Sequence, residues 1–171
     1  QNIAGGSYGT VAGGRLNITG GMYSTVAGGL ANTATGAYSF AAGRRAKALA
    51  DGVFAFADSS DIDFNANTPN SFVGRFTGGY GFWTNTAFTV GCHLPPGGGS
   101  WNCVSSRDQK QDFVPVDGRD VLERVAALPI SEWRYRTEVS GARHMGPTAQ
   151  DFRAAFGLGD VRITTRLYPN L

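Results

Sequence analysis

The chain has little charge, little sulfur and no long apolar run. Asp, Glu, Lys and Arg make up 16% of its 171 residues and leave a formal net charge of +2. That excess is split evenly, 5 basic against 4 acidic residues up to residue 91 and 10 against 9 beyond it. No segment therefore carries the concentrated positive field that draws nucleic acid or an anionic membrane. No apolar stretch approaches the roughly 20 residues of a spanning helix, so no membrane insertion is expected. The N-terminus has no charged-then-apolar leader, but Gln1 lies inside a repeat, which suggests a fragment and leaves secretion open. Cys92 and Cys103, even with His93 and His144, form no Cys-x-x-Cys pair, and neither a metal site nor a cofactor is expected. The two cysteines could close a small loop in an oxidising setting; two separate thiols are the expectation.

Glycine is what the chain has in abundance: 20 of its 25 lie before residue 101. They fall in a repeat. Gly-Gly-Ser-Tyr-Gly-Thr-Val-Ala-Gly-Gly around Tyr8 returns around Tyr23 and decays around Tyr38, a step of 15 residues, with Phe54 16 later. Asn2, Asn17 and Asn32 keep the same step until Lys47 breaks it. Fixed-period self-similarity marks stacked coils, and a helical repeat would need more than about thirty residues per unit. The run Tyr23-Ser24-Thr25-Val26-Ala27 suits a strand, Gly28-Gly29 suits a tight corner, and Asn32 suits a corner where its amide bonds the backbone. The fold class expected is a mainly β N-terminal part, a parallel β-roll or solenoid, followed by a small α+β domain. Alanine and glycine make the interior thin, so one roll alone is marginal at about 25 cal/mol per Å² of buried apolar area. Association through Val11, Val26 and the tyrosine edges into a homotrimer is expected.

Four segments follow: repeats over 1–57, a connector over 58–91, a Gly/Pro-rich joint over 92–104, and a terminal domain over 105–171. In the connector, Ser71–Phe76 and Tyr80–Thr84 read as a β-hairpin around Thr77-Gly78-Gly79. Arg44-Arg45-Ala46-Lys47 reads as a charged cover on the open edge of the last regular coil. Asn17-Ile18-Thr19 fits a glycosylation acceptor, although the repeat explains Asn17 more simply. In the terminal domain, acids at Asp117 and Asp120 precede an apolar stripe at Val121, Leu122, Val125 and Leu128, and Pro129 stops it, which predicts one amphipathic helix. Ile130–Arg136 reads as a partly exposed strand and Thr148–Phe156 as a second helix ended by Gly157.

Ser105-Ser106-Arg107-Asp108-Gln109-Lys110, Leu128-Pro129-Ile130, Trp133-Arg134-Tyr135 and Arg143-His144-Met145-Gly146-Pro147-Thr148-Ala149-Gln150 together resemble the endosialidase-type intramolecular chaperone family. The match covers residues 101–159. The first 57 residues resemble, more loosely, the β-roll heads of trimeric autotransporter adhesins. The first resemblance implies a self-cleaving serine peptidase at the end of a trimeric tail fibre or surface adhesin, on a phage virion or a bacterial cell surface. It implies Ser105 as nucleophile, Lys110 as base and a cut between Val104 and Ser105, with His144, Gly146, Pro147 and Gln150 as signature positions. A serine hydroxyl needs a base, and lysine serves only when burial keeps it neutral. His144 is read foremost as structural, with orientation of the processing site as the other reading, and Gly146-Pro147 as a turn. The family places Asp after the serine, where this chain has Ser106, and its apolar terminal helix is replaced after residue 159 by a stretch containing Pro169. That divergence suggests a second outcome, an uncut adhesin or fibre tip that binds a cell-surface glycan or protein.

Overall fold

The computed structural model describes residues 1–158 and divides into two compact units, one from Gln1 to Ser106 and one from Arg107 onward. The divergent stretch after residue 159 lies outside the described residues.

In the first unit each coil lays one strand in each of two parallel five-stranded sheets. One sheet stacks β1 (Ile3–Ala4), β3 (Ile18–Thr19), β5 (Thr33–Ala34), β7 (Ala46–Ala48) and β9 (Phe64–Ala66). The other stacks β2 (Thr10–Val11), β4 (Thr25–Leu30), β6 (Phe40–Arg44), β8 (Phe54–Ala57) and β10 (Phe72–Arg75). Register follows the repeat, Ile3 against Ile18 against Thr33, and is then one residue short, with Thr33 opposite Lys47. The parallel β-solenoid expected from the period is what forms.

The interior is alanine with a polar seam. Val26, Ala34, Ala41, Ala46, Ala48, Val53, Ala55, Ala57 and Ala66 make one buried cluster. Beside it Asn17 and Asn32 are completely buried and stack into a ladder. Asn17 Oδ1 accepts from the backbone N–H of Asn32 at 2.9 Å, and the Asn32 amide donates to Gly28 O and Gly43 O, both at 2.8 Å. Each asparagine thus satisfies carbonyls of its own corner and of the next coil, as burial of polar groups demands. The ladder ends where the short coil places Ala46 over Asn32, its N–H donating to Asn32 Oδ1 at 2.9 Å. Lys47 is therefore not the residue in the asparagine column; it opposes Thr33 and donates to Ala31 O at 2.6 Å. Asn17, buried and bonded, is not presented as a glycan acceptor.

Several local expectations are corrected by the ladder. The tyrosines stand at coil corners rather than in strands: Tyr8, Tyr23 and Tyr38 have φ of 59°, 57° and 57°. Left-handed backbone costs a non-glycine residue about 1 kcal/mol or more. Here it is held by N–H bonds from Tyr23 to Ser7 O and from Tyr38 to Met22 O, both 2.9 Å. Ring stacking, with centroids 5.0 and 5.4 Å apart, adds to this. Phe54 belongs to a different column, above Phe40 and below Phe72. Gly28 and Gly29 lie in β4 at a bulge, and a Cβ on Gly29 would strike the Gly43 backbone of the next coil. Val26 is buried inside its own chain rather than offered to a copy.

The coils continue beyond residue 57 to Arg75. Consequently Arg44 and Lys47 sit on strands interior to their sheets, with Arg45 at the corner between them, not on an open edge. Their charge meets the Asp-rich segment that interrupts the period: Arg44 pairs with Asp61 at 2.8 Å and Arg45 with Asp63 at 2.7 Å. Asp58 in the same segment accepts from Thr77 N–H and Thr77 Oγ1 at 2.8 Å and from Arg75 Nε at 3.1 Å. The expected hairpin does not exist, because Ser71–Phe76 supplies β10 of the solenoid. The second half of that pattern, β11 (Tyr80–Trp83), instead pairs antiparallel with β12 (Gly91–Leu94), which pairs with β13 (Asn102–Cys103). The Gly/Pro-rich joint is thus largely the β12–β13 connection.

Cys92 and Cys103 are joined as a disulfide, against the expectation of separate thiols. Register explains it. Val104 N–H donates to Gly91 O at 3.1 Å, so Gly91 and Val104 are a hydrogen-bonded pair. The neighbouring Cys92–Cys103 pair is then the closely spaced, unbonded kind, with Cα atoms 4.0 Å apart. Spacing in sequence could not show that the two strands face each other.

The second unit is α+β. Helix α1 (Gly118–Ala126) is capped by Asp117, whose side chain accepts from Arg119 N–H. Helix α2 (Ala149–Phe156) has a capping box between Thr148 and Asp151 and closes on Gly157 at φ 67°. Between them β14 (Ser131–Trp133) pairs antiparallel with β15 (His144–Gly146). Arg124 on α1 donates to Ala155 O of α2 at 2.8 Å. None of the described residues of this unit is buried.

Candidate functional site

The proposed cut falls where an ordered strand ends. Val104 follows β13 and is fixed by its N–H bond to Gly91 O, one residue after the disulfide. Ser105 and Ser106 follow, both exposed. Arg107–Gln109 form one 3₁₀ turn, closed by the Lys110 N–H donating to Arg107 O at 3.0 Å. Lys110 is exposed in the single chain. The Arg107 guanidinium lies 4.3 Å from the Phe113 ring centroid, a cation–π contact that steadies the segment after the turn.

The signature positions gather around the β14–β15 pair and the start of α2. His144 Nε2 lies 2.9 Å from Glu138 Oε2, and its ring stacks on Trp133 at 4.7 Å with Tyr135 edge-on at 5.4 Å. That hydrogen bond, with a second from Ser140 Oγ at 2.9 Å, holds the Glu138 carboxyl below its ordinary range. Gly146 is the last residue of β15, opposite Ser131, so it closes a strand rather than making a turn with Pro147. Pro147 and Thr148 lead into α2, and Gln150 is exposed on its first turn. Glu138 escaped the sequence reading because it lies in a loop six residues before His144, with no motif to join them.

The apolar surface of this unit is unusual. Val114, Val116, Leu122, Val125, Ile130, Tyr135 and Met145 are all more than half exposed. Leu122 and Val125 belong to the apolar stripe of α1, whose Val121 is half-buried, and a soluble monomer would cover them. In the first unit the tyrosine column is also exposed, but its rings are parallel to within 7° and 15°. Each inner ring face is therefore covered by its neighbour, and between its two end rings the column presents edges and hydroxyls, whereas sugars stack on ring faces.

The sulfurs of Cys92 and Cys103 are bonded to each other and so are not thiolate ligands. Among the described residues no three His, Cys, Asp or Glu side chains converge as a metal site, and no described helix is long and apolar enough to cross a membrane.

A peptidase S74 family model, described as chaperone of endosialidase, matches residues 105–157. No curated protein and no solved structure matches the chain. Following a parallel β-solenoid in the chain, residues 105–157 are thus similar to the chaperone-of-endosialidase family.

Proposed function

We propose that the chain is the end of a trimeric, tail-fibre-like or surface-exposed rod, whose terminal domain gathers three copies and then cuts itself away before Ser105. The observation that carries this reading is the uncovered apolar face of the second unit. A domain none of whose described residues is buried, and with Leu122 and Val125 exposed, has little among those residues to hold it together alone. Three identical copies can cover such a face by closed cyclic symmetry.

In the reaction the Ser105 hydroxyl attacks the carbonyl carbon of Val104, its own neighbour, and Lys110 takes the hydroxyl proton. The C–N bond breaks, the Ser105 nitrogen takes up a proton, and the Val104 acyl group passes to Ser105 Oγ as an ester. Water then hydrolyses the ester, leaving a Val104 carboxylate and a released domain beginning with Ser105. Tethering the nucleophile to the bond it cuts replaces substrate binding. Lysine acts as a base only when neutral, which burial favours. Lys110 is exposed in the single chain, so the reading assigns its activation to the assembled trimer, and cutting follows assembly. Family association with phage tails supports a virion or cell-surface location. The alternative, an uncut glycan-binding tip, gains little from the tyrosine column, whose inner ring faces are occupied by stacking.

Intact mass measurement of purified trimer tests the reading. A fragment beginning at Ser105, absent from Ser105→Ala and Lys110→Ala, is expected. A trimer yielding only intact chain would leave the adhesin reading in its place.

A further inference from the structure

We infer that the Cys92–Cys103 disulfide is a positioning clamp for the cut: it holds Val104, the acyl half of the scissile bond, in strand register before cleavage and retains the new chain end afterwards. The inference rests on the reading that the chain is cut between Val104 and Ser105.

The strand that carries the bond is weak by itself. β13 is two residues long, lies at the edge of its three-stranded sheet, and is joined to β12 through Pro95-Pro96-Gly97-Gly98-Gly99-Ser100-Trp101. Three successive glycines give that connection more freedom to lose on ordering than other residues would. A two-residue edge strand behind such a loop frays, particularly once it becomes a chain terminus. The disulfide removes that freedom one residue before Val104. It ties Cys103 to Cys92 and so keeps Val104 N–H on Gly91 O at 3.1 Å. Phe82, opposite Cys92, packs against Trp101 at 5.6 Å and closes the other side of the loop. One side of the scissile peptide is thereby anchored, which narrows the approaches of the Ser105 hydroxyl to the Val104 carbonyl and favours attack. After hydrolysis the same cross-link prevents Cys103-Val104 from peeling off the sheet. Cys92 and Cys103 are positioning residues; they touch no reacting atom.

The test uses the full chain as assembled trimer, in wild type and in Cys92→Ser/Cys103→Ser. Cleavage is followed by mass measurement of the Ser105 fragment, and strand order by hydrogen exchange at Asn102–Val104. Because Cys103 is exposed, a reductant added to folded Ser105→Ala trimer gives an open form without relying on the double variant to fold. The expected results are roughly tenfold slower cutting without the disulfide, about 1.4 kcal/mol in barrier, and at least tenfold faster exchange of the Val104 amide on reduction. Cys92→Val/Cys103→Val, a favourable unlinked cross-strand pair, should recover part of the rate. Equal cutting rates with and without the disulfide overturn the positioning role, and unchanged Val104 exchange overturns the clamp itself. A wild-type trimer that never cuts but exchanges Val104 faster on reduction sinks the peptidase reading and leaves the clamp standing as retention of the strand.

Discussion

The two units solve the problem of a small core in opposite ways. The solenoid has an alanine interior that buries little area per residue, yet its ladder bonds run from coil to coil, and its buried asparagines satisfy the backbone groups at the corners. The terminal unit has no such interior among its described residues: larger apolar side chains, including Leu122, Ile130 and Phe152, are exposed there, as Tyr8, Phe72 and Phe82 are on the first unit, but without a buried cluster beneath them. Apolar size alone therefore does not say which region is self-sufficient. What matters is whether neighbouring backbone supplies partners within the same chain. Each coil has another coil on which to lay its strands, whereas among the described residues α1 is tied to α2 through Arg124 and the Ala155 carbonyl.

The sharpest way to break this comparison is to remove a rung from the solenoid. Asn32→Leu is expected to destabilise the first unit by about 3–5 kcal/mol, because Gly28 O, Gly43 O and Ala46 N–H lose buried partners at about 1–3 kcal/mol each. Asn2→Leu at the half-exposed start of the ladder, where the amide donates to Gly14 O at 2.9 Å and Oδ1 accepts from Asn17 N–H at 3.1 Å, should cost less, about 1–2 kcal/mol. Denaturant midpoints of the two variants measure the difference. Equal losses would mean that the ladder contributes no more inside the stack than at its end.

A second break concerns the other unit. Leu122→Asp removes an apolar group that is 67% exposed, so the single chain should change by no more than about 0.5 kcal/mol. Association should weaken at least tenfold in sedimentation, together with the cut, because the charge would be desolvated in each of three copies. Unaltered association would show that the α1 face is not where the copies meet.

How much of this was legible in the sequence depends on how local each signal is. The parallel coils were readable because the 15-residue spacing of Tyr8, Tyr23 and Tyr38 is strict even where the surrounding repeat decays, and the two helices because their caps, Asp117 and Thr148, sit directly beside the apolar stripes. The coils past residue 57 were hidden by Asp58–Asp63, which lengthens one coil and carries the pattern out of phase. The tyrosine corners were misplaced because an aromatic beside Ser-Thr-Val has strand propensity, while its positive φ is imposed by bonds to Ser7 and Met22 in the neighbouring coil. Pairing of Cys92 with Cys103 needed a register that no spacing encodes. The Ser105 and Lys110 positions came from family resemblance; their separation of five residues says nothing by itself.

The smallest expected effect is a difference in acid sensitivity between two carboxylates. Asp58 is held far below the ordinary carboxylate range by the Thr77 N–H and hydroxyl, with Ser60 adding to it. Glu138 is lowered from its ordinary value of 4.5 by the bond to His144 and then by Ser140. A carboxyl whose folded pKa lies below its unfolded one stabilises the fold fully above the unfolded value, and that contribution is lost as pH falls through the folded value. Support for the His144–Trp133 stack should therefore decline below pH 4.5, while the Asp58 contacts to Thr77 and Arg75 persist to lower pH. Fluorescence from Trp133, read as the difference between wild type and Glu138→Gln from pH 7 to 3, should show a step below that point that the variant lacks. Hydrogen exchange at Thr77 should stay slow over most of the same interval. If Thr77 loses protection before the indole signal changes, then the solenoid's longest coil, rather than the terminal unit, is the first part of the molecule to yield to acid.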